Sequence, residues 1–385
     1  MPLEPSFQPP GSRLIHLALT VALLAPAATT LAAESFRFRQ APIGLFGGEI
    51  AVNAKPRAGF FGTVTVNYAE LDDIAGPDGG QYYQGAQTIP VPTATLTGGA
   101  VPDGTYRAFI SDSAINFYQE LTRVNLVLGY QSNIEIAGGR LAFGLLQPFV
   151  KGRRHVSASD PQITFSEGTP QNIQDAVTPK IREQVEARMK SMLDRQNQHF
   201  SGPGDTNLSM AWVRKSKRLK LVTGLSVVLP TGEYETDRAP NPGQGDFYTV
   251  KPTMAFTYSL AEPGTGSALS SGVTFAGRLT YGYNTENKDT NYQSGQFVFA
   301  ELAAAKVTGN WAFGANVMTL RQVTDDRDDG QTVSGNRYRN YAAGPFIAYK
   351  FPGRKFGLNL NYSRNFSAEN AITGEGYMLR LIKVW

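Results

Sequence analysis

Groups that exchange protons near neutral pH are scarce in this chain. It has three histidines and no cysteine, which excludes a disulfide framework, a Cys-ligated zinc site and a thiol nucleophile. His16 lies in the N-terminal apolar run, and His199 closes a stretch of helical spacing. His155 stands in the run Arg153-Arg154-His155-Val156-Ser157-Ala158-Ser159-Asp160. A Ser/His/acid arrangement can activate a hydroxyl nucleophile, but only when the three groups converge in space. Three neighbours in sequence do not make a triad, and loops at strand ends are rich in these residue types. The run reads as a rim loop, and no catalytic residue is assigned. The run Asp325-Asp326-Arg327-Asp328-Asp329-Gly330 offers oxygen ligands, but its spacing is not that of a calcium loop. It reads as a solvated loop tip, so neither a metal nor a cofactor is expected. The formal charge of +4 is small and scattered, which gives no reason to expect nucleic acid.

The charges that matter lie on strands. Between Gly204 and Leu260, Leu208, Met210 and Trp212 share one parity, while Asn207, Ser209 and Ala211 share the other. After a polar turn at Lys215–Lys217, Leu219, Leu221, Leu225, Val227 and Leu229 alternate with Arg218, Lys220, Gly224 and Ser226. A Gly/Pro/Asn-rich loop follows. Then Tyr248, Val250, Met254, Phe256, Tyr258 and Leu260 alternate with Thr249, Lys251, Thr253, Thr257 and Ser259. A period of two held for about ten residues means an extended strand with one apolar and one polar face. Strands of that length, joined alternately by tight turns and long loops, predict a transmembrane β-barrel with lipid outside and water or polar packing inside. The polar parity then places Arg123, Lys220, Lys251, Arg278 and Arg380 in the lumen, with Glu301 as the acidic counterweight. Two readings of these six pathway candidates stand open. They pair with one another or with the N-terminal segment and fill a narrow barrel, or they line a pathway that weakly favours anions. Phe297 and Phe299 share the parity of Glu301, which would turn apolar surface toward the same interior.

The ends of the chain fix the compartment. Arg13, the apolar stretch Leu14–Leu24, Pro26 and the small residues Ala27–Ala33 form a secretory signal peptide over residues 1–33. Its apolar core falls short of the about 20 residues a spanning helix needs. Residues 34–59 are polar and Gly-rich and are expected as a plug or a loose periplasmic segment. Residues 60–385 are expected to form an all-β, antiparallel up-and-down barrel of about 12 strands. One helical insertion interrupts it. Thr178 before Pro179 reads as an N-cap and first helical position. Ile181, Val185, Met189, Met192 and Leu193 then recur at helical spacing over about 179–197, in an outer loop. Short connections at Lys215–Lys217, Thr308–Asn310 and Pro352–Arg354 alternate with longer polar ones at 231–246, 285–294, 322–337 and 367–375. That is the asymmetry of periplasmic turns and outer loops. The chain ends on Trp385, an aromatic residue closing an alternating strand. This is the form of the C-terminal signal read by the barrel-assembly machinery, with Lys383 as a departure from it. The location expected is the outer membrane of a Gram-negative bacterium.

Gly204-Asp205, the strand end Leu229-Pro230-Thr231-Gly232-Glu233-Tyr234 and the loop Asn241-Pro242-Gly243-Gln244-Gly245-Asp246 carry a resemblance. Gly47-Gly48-Glu49, Pro56 and Gly59-Phe60-Phe61-Gly62 extend it. In this order they resemble the outer-membrane transporter family labelled "meta-pathway of phenol degradation", which includes a sphingosine-induced outer-membrane protein. The resemblance implies a 12-stranded barrel that passes hydrophobic or aromatic compounds, with no established catalytic residues. The function expected is therefore passive uptake of small hydrophobic or aromatic solutes. The alternative is a structural or partner-binding barrel with a plugged lumen and functional outer loops.

Overall fold

A strand facing lipid on one side and polar packing on the other must alternate, and these strands do. The computed structural model describes residues 38–40, 58–262, 265, 267 and 270–385. Twelve strands form the barrel: β1 (Gly59–Ala75), β2 (Ser113–Ile136), β3 (Gly139–Ala158), β4 (Asn207–Lys215), β5 (Leu219–Val228), β6 (Thr249–Ser259), β7 (Val273–Asn284), β8 (Phe297–Thr308), β9 (Trp311–Gln322), β10 (Arg339–Lys350), β11 (Phe356–Glu369) and β12 (Ala371–Val384). Each pairs antiparallel with its neighbours in sequence, and β12 returns to pair with β1 from Phe61↔Val384 to Ala75↔Ala371. Closure leaves the wall without an open edge, the condition for sheet inside a membrane. Among the described residues no helix is long and apolar enough to cross one. The expected signal peptide lies outside the described residues, as does most of the segment 34–59.

The two barrel ends differ as expected. At one end the connections are the turns 137–138, 216–218, 309–310 and 351–355 and the longer 260–272; at the other they are 76–112, 159–206, 229–248, 285–296 and 323–338. Gly309 takes a left-handed φ of 58° in its two-residue turn, a conformation glycine adopts freely. The loop expected at 367–375 is instead strand. Only Asn370 separates β11 from β12, at φ 47°, which asparagine tolerates better than most residues. Beyond the last direct pair, Arg364↔Glu375, the two strands part. There β11 continues along β10 as far as Arg339↔Glu369, while β12 continues along β1.

The outer face is apolar where lipid would lie. Leu128 is 55% exposed and Leu302 58%, values no water-facing wall would tolerate across so many strands. Toward the long-loop end the register sets Arg364, Glu375, Glu70, Glu120 and Arg153 side by side across β11, β12, β1, β2 and β3. Adjacent carboxylates repel. Tyr68 donates to Glu70 at 2.7 Å, Tyr362 and Tyr377 each donate to Glu375 at 2.9 Å, and Arg153 pairs with Glu120 at 2.7 Å, which offsets that repulsion. This tyrosine-and-charge band marks the edge of the apolar belt.

The chain divides into two compact units. The smaller holds residues 85–112 and 161–187. It contains a three-stranded sheet (Gln87–Pro90, Arg107–Ile110, Ile163–Phe165), helix α1 (Thr93–Thr97) and the first turns of helix α2 (Gln171–Gln196). Its core is Ile89, Val91, Ala108, Ile110, Ile173, Val177 and Ile181. The last three, four residues apart, put one helical stripe into that core. The helix thus begins earlier than the expected 179, and Pro179 lies inside it. Thr178 caps nothing; its hydroxyl donates to the carbonyl of Gln174 at 2.7 Å. An interior proline costs about 3 kcal/mol, offset here by burial of Ile173, Val177 and Ile181.

Candidate functional site

All six pathway candidates occupy the inward parity of their strands. Glu301 is 1% exposed and accepts from Arg278 at 3.1 Å and from the amide of Asn316 at 3.1 Å. The Arg278 guanidinium also lies 4.7 Å from the centre of the Phe299 ring. Lys251, buried, donates to the backbone oxygen of Arg39 at 2.7 Å. Arg39, Arg123 and Arg278 are near enough to act on its charge. Arg123 donates to Asn125 at 2.9 Å. The structure therefore gathers Arg123, Lys251, Arg278 and Glu301 into one electrostatic group. The other two lie on β12 and β5. Arg380, buried on β12, reaches the Met378 sulfur at 3.7 Å. Lys220 is half-buried opposite Lys215 and Thr257, near the short-turn end.

The interior sets a small apolar patch among polar groups. On β6, β7 and β8, Ala255, Ala276, Ala303 and Ala305 form a buried cluster with Phe346 of β10. On β11, β12, β1 and β2 the buried inward residues include Asn359, Asn361, Ser363, Arg380, Thr65 and Asn125. That cluster is a small apolar patch, because the same three strands also carry the buried Lys251, Thr257, Thr274, Thr280 and Glu301. Hydrogen-bonding groups line both sides of it.

Of the expected plug, residues 38–40 and 58–59 are described, and 38–40 are held by contacts in the barrel unit. Phe38 packs on Phe297, with ring centres 4.8 Å apart, and on Tyr338 at 5.3 Å. Arg39 pairs with Asp205 at 3.0 Å, donates to the carbonyls of Gly245 (2.8 Å) and Phe247, and lies over the Phe247 ring at 3.7 Å. Asp205 also accepts from the amides of Gly232 (3.0 Å) and Gln244 (3.1 Å). The bend at Gly245 has φ 110°, and a Cβ there would lie 2.3 Å from Asn287, so only glycine fits. Burial pushes the Tyr338 phenol up to about 12.

A family model described as "Putative MetA-pathway of phenol degradation" matches residues 103–381. The chain belongs to that family. No curated protein matches it. Among solved structures it is similar to the COG4313 outer-membrane channel from Pseudomonas putida F1, at 13% identity over 87% of this chain and 98% of that one, with a TM-score of 0.56. That likeness shows a shared fold. The β domain of the Bordetella autotransporter BrkA (9% identity, 84% and 99% covered, TM-score 0.41) and the monoaromatic hydrocarbon channel CymD (8%, 86% and 89%, TM-score 0.38) are too distant to bear on function.

Two features of this family member escaped sequence reasoning. The acidic run at 325–329, expected as a solvated tip, is a hairpin arm. Asp326–Asp328 pairs with Tyr292–Gln293 on one side and Gln331–Val333 on the other. Alternate residues of a strand point opposite ways, so Asp326 turns inward. It is fully buried and accepts from Tyr292 (2.6 Å), Gly295 (2.5 Å), Gln322 (2.7 Å) and Asn336 (2.9 Å). Asp325 stays at the surface, where the Arg337 guanidinium holds its carboxyl below the usual carboxylate range. The second is the Arg39 clasp. Its one available signal was the alternation Phe36-Arg37-Phe38-Arg39, which names an extended segment but not its partner.

Proposed function

We propose that this protein is a passive outer-membrane channel for small hydrophobic or aromatic compounds. A signal peptide at residues 1–33, then cleaved, exports it, and Trp385 presents it to the barrel-assembly machinery. The observation that carries the reading is the closed barrel whose interior sets an alanine-and-phenylalanine patch among polar and basic groups. Such an interior gives a greasy solute a surface to slide on without a deep well that would retain it. Membership in a family named for phenol degradation and the fold shared with an outer-membrane channel support it. The Arg39 clasp favours a second element, in which residues 34–59 sit within the barrel and set how far it is open. Conductance in planar bilayers, for the full mature chain and for one lacking residues 34–57, tests both. Steady conductance that rises on removal is the expected result. A barrel silent in both forms, with solute uptake unchanged in a deletion strain, would overturn transport in favour of a structural or partner-binding role.

A further inference from the structure

Three asparagines on the inner wall hold amide atoms that no described group satisfies. Asn361, 5% exposed, has neither Oδ1 nor Nδ2 hydrogen-bonded, while Asn359 (2%) and Asn316 (4%) each have a free Oδ1. Buried amides without partners weaken a fold, and an aliphatic residue of similar size would serve packing better. Asn359 and Asn361 are two apart on β11 and so share one face. Asn361 lies in register between Phe346 of β10 and Met378 of β12. Phe346 is also the register partner of Gly314 on β9, and its ring covers that glycine closely enough that a Cβ would lie 2.3 Å away. On the same strand as Gly314 stands Asn316. Amide groups therefore flank an apolar surface made by Phe346, Met378 and the alanines packed on Phe346.

The chemistry of the amides selects the ligand. Asn361 presents a free acceptor and a free donor, while Asn359 and Asn316, whose amide nitrogens donate to the Ile347 carbonyl (3.5 Å) and to Glu301 (3.1 Å), each present a free acceptor. A carboxylate can only accept and an ammonium can only donate, whereas a hydroxyl does both. We propose that Asn359 and Asn361, with Asn316 beyond Phe346, form a subsite for the hydroxyl of a neutral cargo. The cargo's apolar body lies on Phe346, Met378 and the alanine patch. The favoured class is the phenol or hydrophobic alcohol, ahead of the matching hydrocarbon. This rests on the channel reading and narrows it.

The test is fluorine NMR titration of the protein in nanodiscs with 4-fluorophenol, fluorobenzene and 4-fluorobenzoate, each referenced to empty nanodiscs. One hydrogen bond is worth about tenfold in affinity, so 4-fluorophenol should bind about tenfold tighter than fluorobenzene. Asn361→Leu and, separately, Asn359→Leu should each cut that advantage to about twofold, with fluorobenzene bound no more weakly than by the wild type. Heat-modifiable gel mobility confirms that each variant is a folded barrel, and the wild-type ranking needs no variant. Equal binding of phenol and hydrocarbon, a preference for the benzoate, or equal loss of all probes in the leucine variants would overturn the subsite and leave the channel standing. Absence of protein-dependent binding for all three, together with silent bilayers, would remove the channel reading as well.

Discussion

Asp205 and Asp326 are both buried carboxylates among the loops at the long-loop end of the barrel, and they are satisfied by different means. Asp205 holds a guanidinium that arrives from 166 residues away in sequence. Asp326 is held by a phenol, a backbone amide and two side-chain amides, all within 34 residues of it. The difference separates a clasp from a staple. A charged pair made by a distant segment can part as a unit, and breaking half of it leaves a buried charge exposed to low dielectric. Neutral donors from neighbouring loops lock those loops together and carry no such lever.

The sharpest way to break this contrast is Asp205→Ala. It should cost about 3–5 kcal/mol by stranding Arg39, raise planar-bilayer conductance and open residues 34–59 to protease. Unchanged conductance and protection would show that Asp205 is merely another staple. Replacing both members, Arg39→Leu with Asp205→Leu, should be less destabilising than Asp205→Ala alone, because no lone charge remains. A double-mutant cycle followed by denaturant unfolding reads that coupling. Asp326→Asn should cost about 1–3 kcal/mol, seen as faster proteolysis within residues 323–338, with conductance unaltered. A change in conductance there would erase the distinction between the two sites. The smallest effect belongs to the surface neighbour, Asp325. Its pair with Arg337 is largely exposed, so solvent screening holds its worth to about 0–1 kcal/mol. Because Arg337 depresses the Asp325 carboxyl, that contribution is full above the unfolded carboxylate range. It is lost as pH falls through the folded value. The gap between wild type and Asp325→Asn in loop proteolysis should therefore close below about pH 4.

The strands were legible because period two is a local signal. Leu208, Met210 and Trp212 name their face wherever the strand ends up. The same signal put Arg278, Lys251 and Glu301 inside. What parity cannot name is a partner, since Arg278 and Glu301 lie on different strands and their meeting depends on register. Glu301 with Asn316 and Arg39 with Asp205 are contacts of that kind. The helix start was misread because Thr178-Pro179 imitates a cap, while the deciding force, burial of Ile173 and Val177, comes from strands elsewhere in the chain. Asp326 was misread for the opposite reason. Its neighbours in sequence are all polar, and only pairing with Tyr292–Gln293 turns it inward.

The seam between β12 and β1 bears on how the molecule is made. Its first pair, Phe61↔Val384, joins residues far apart in sequence, and the Trp385 amide bonds to the Phe60 carbonyl at 3.1 Å beyond it. Contacts of such separation form slowly, because the long intervening chain must first be ordered. Until residues 371–384 are in place, β1 and β11 each present an unpaired edge, a template for joining other chains. The wall is thus a ring fastened by its last link. Removing a few C-terminal residues should harm assembly far more than inserting as many into an outer loop, because only the former leaves the ring open.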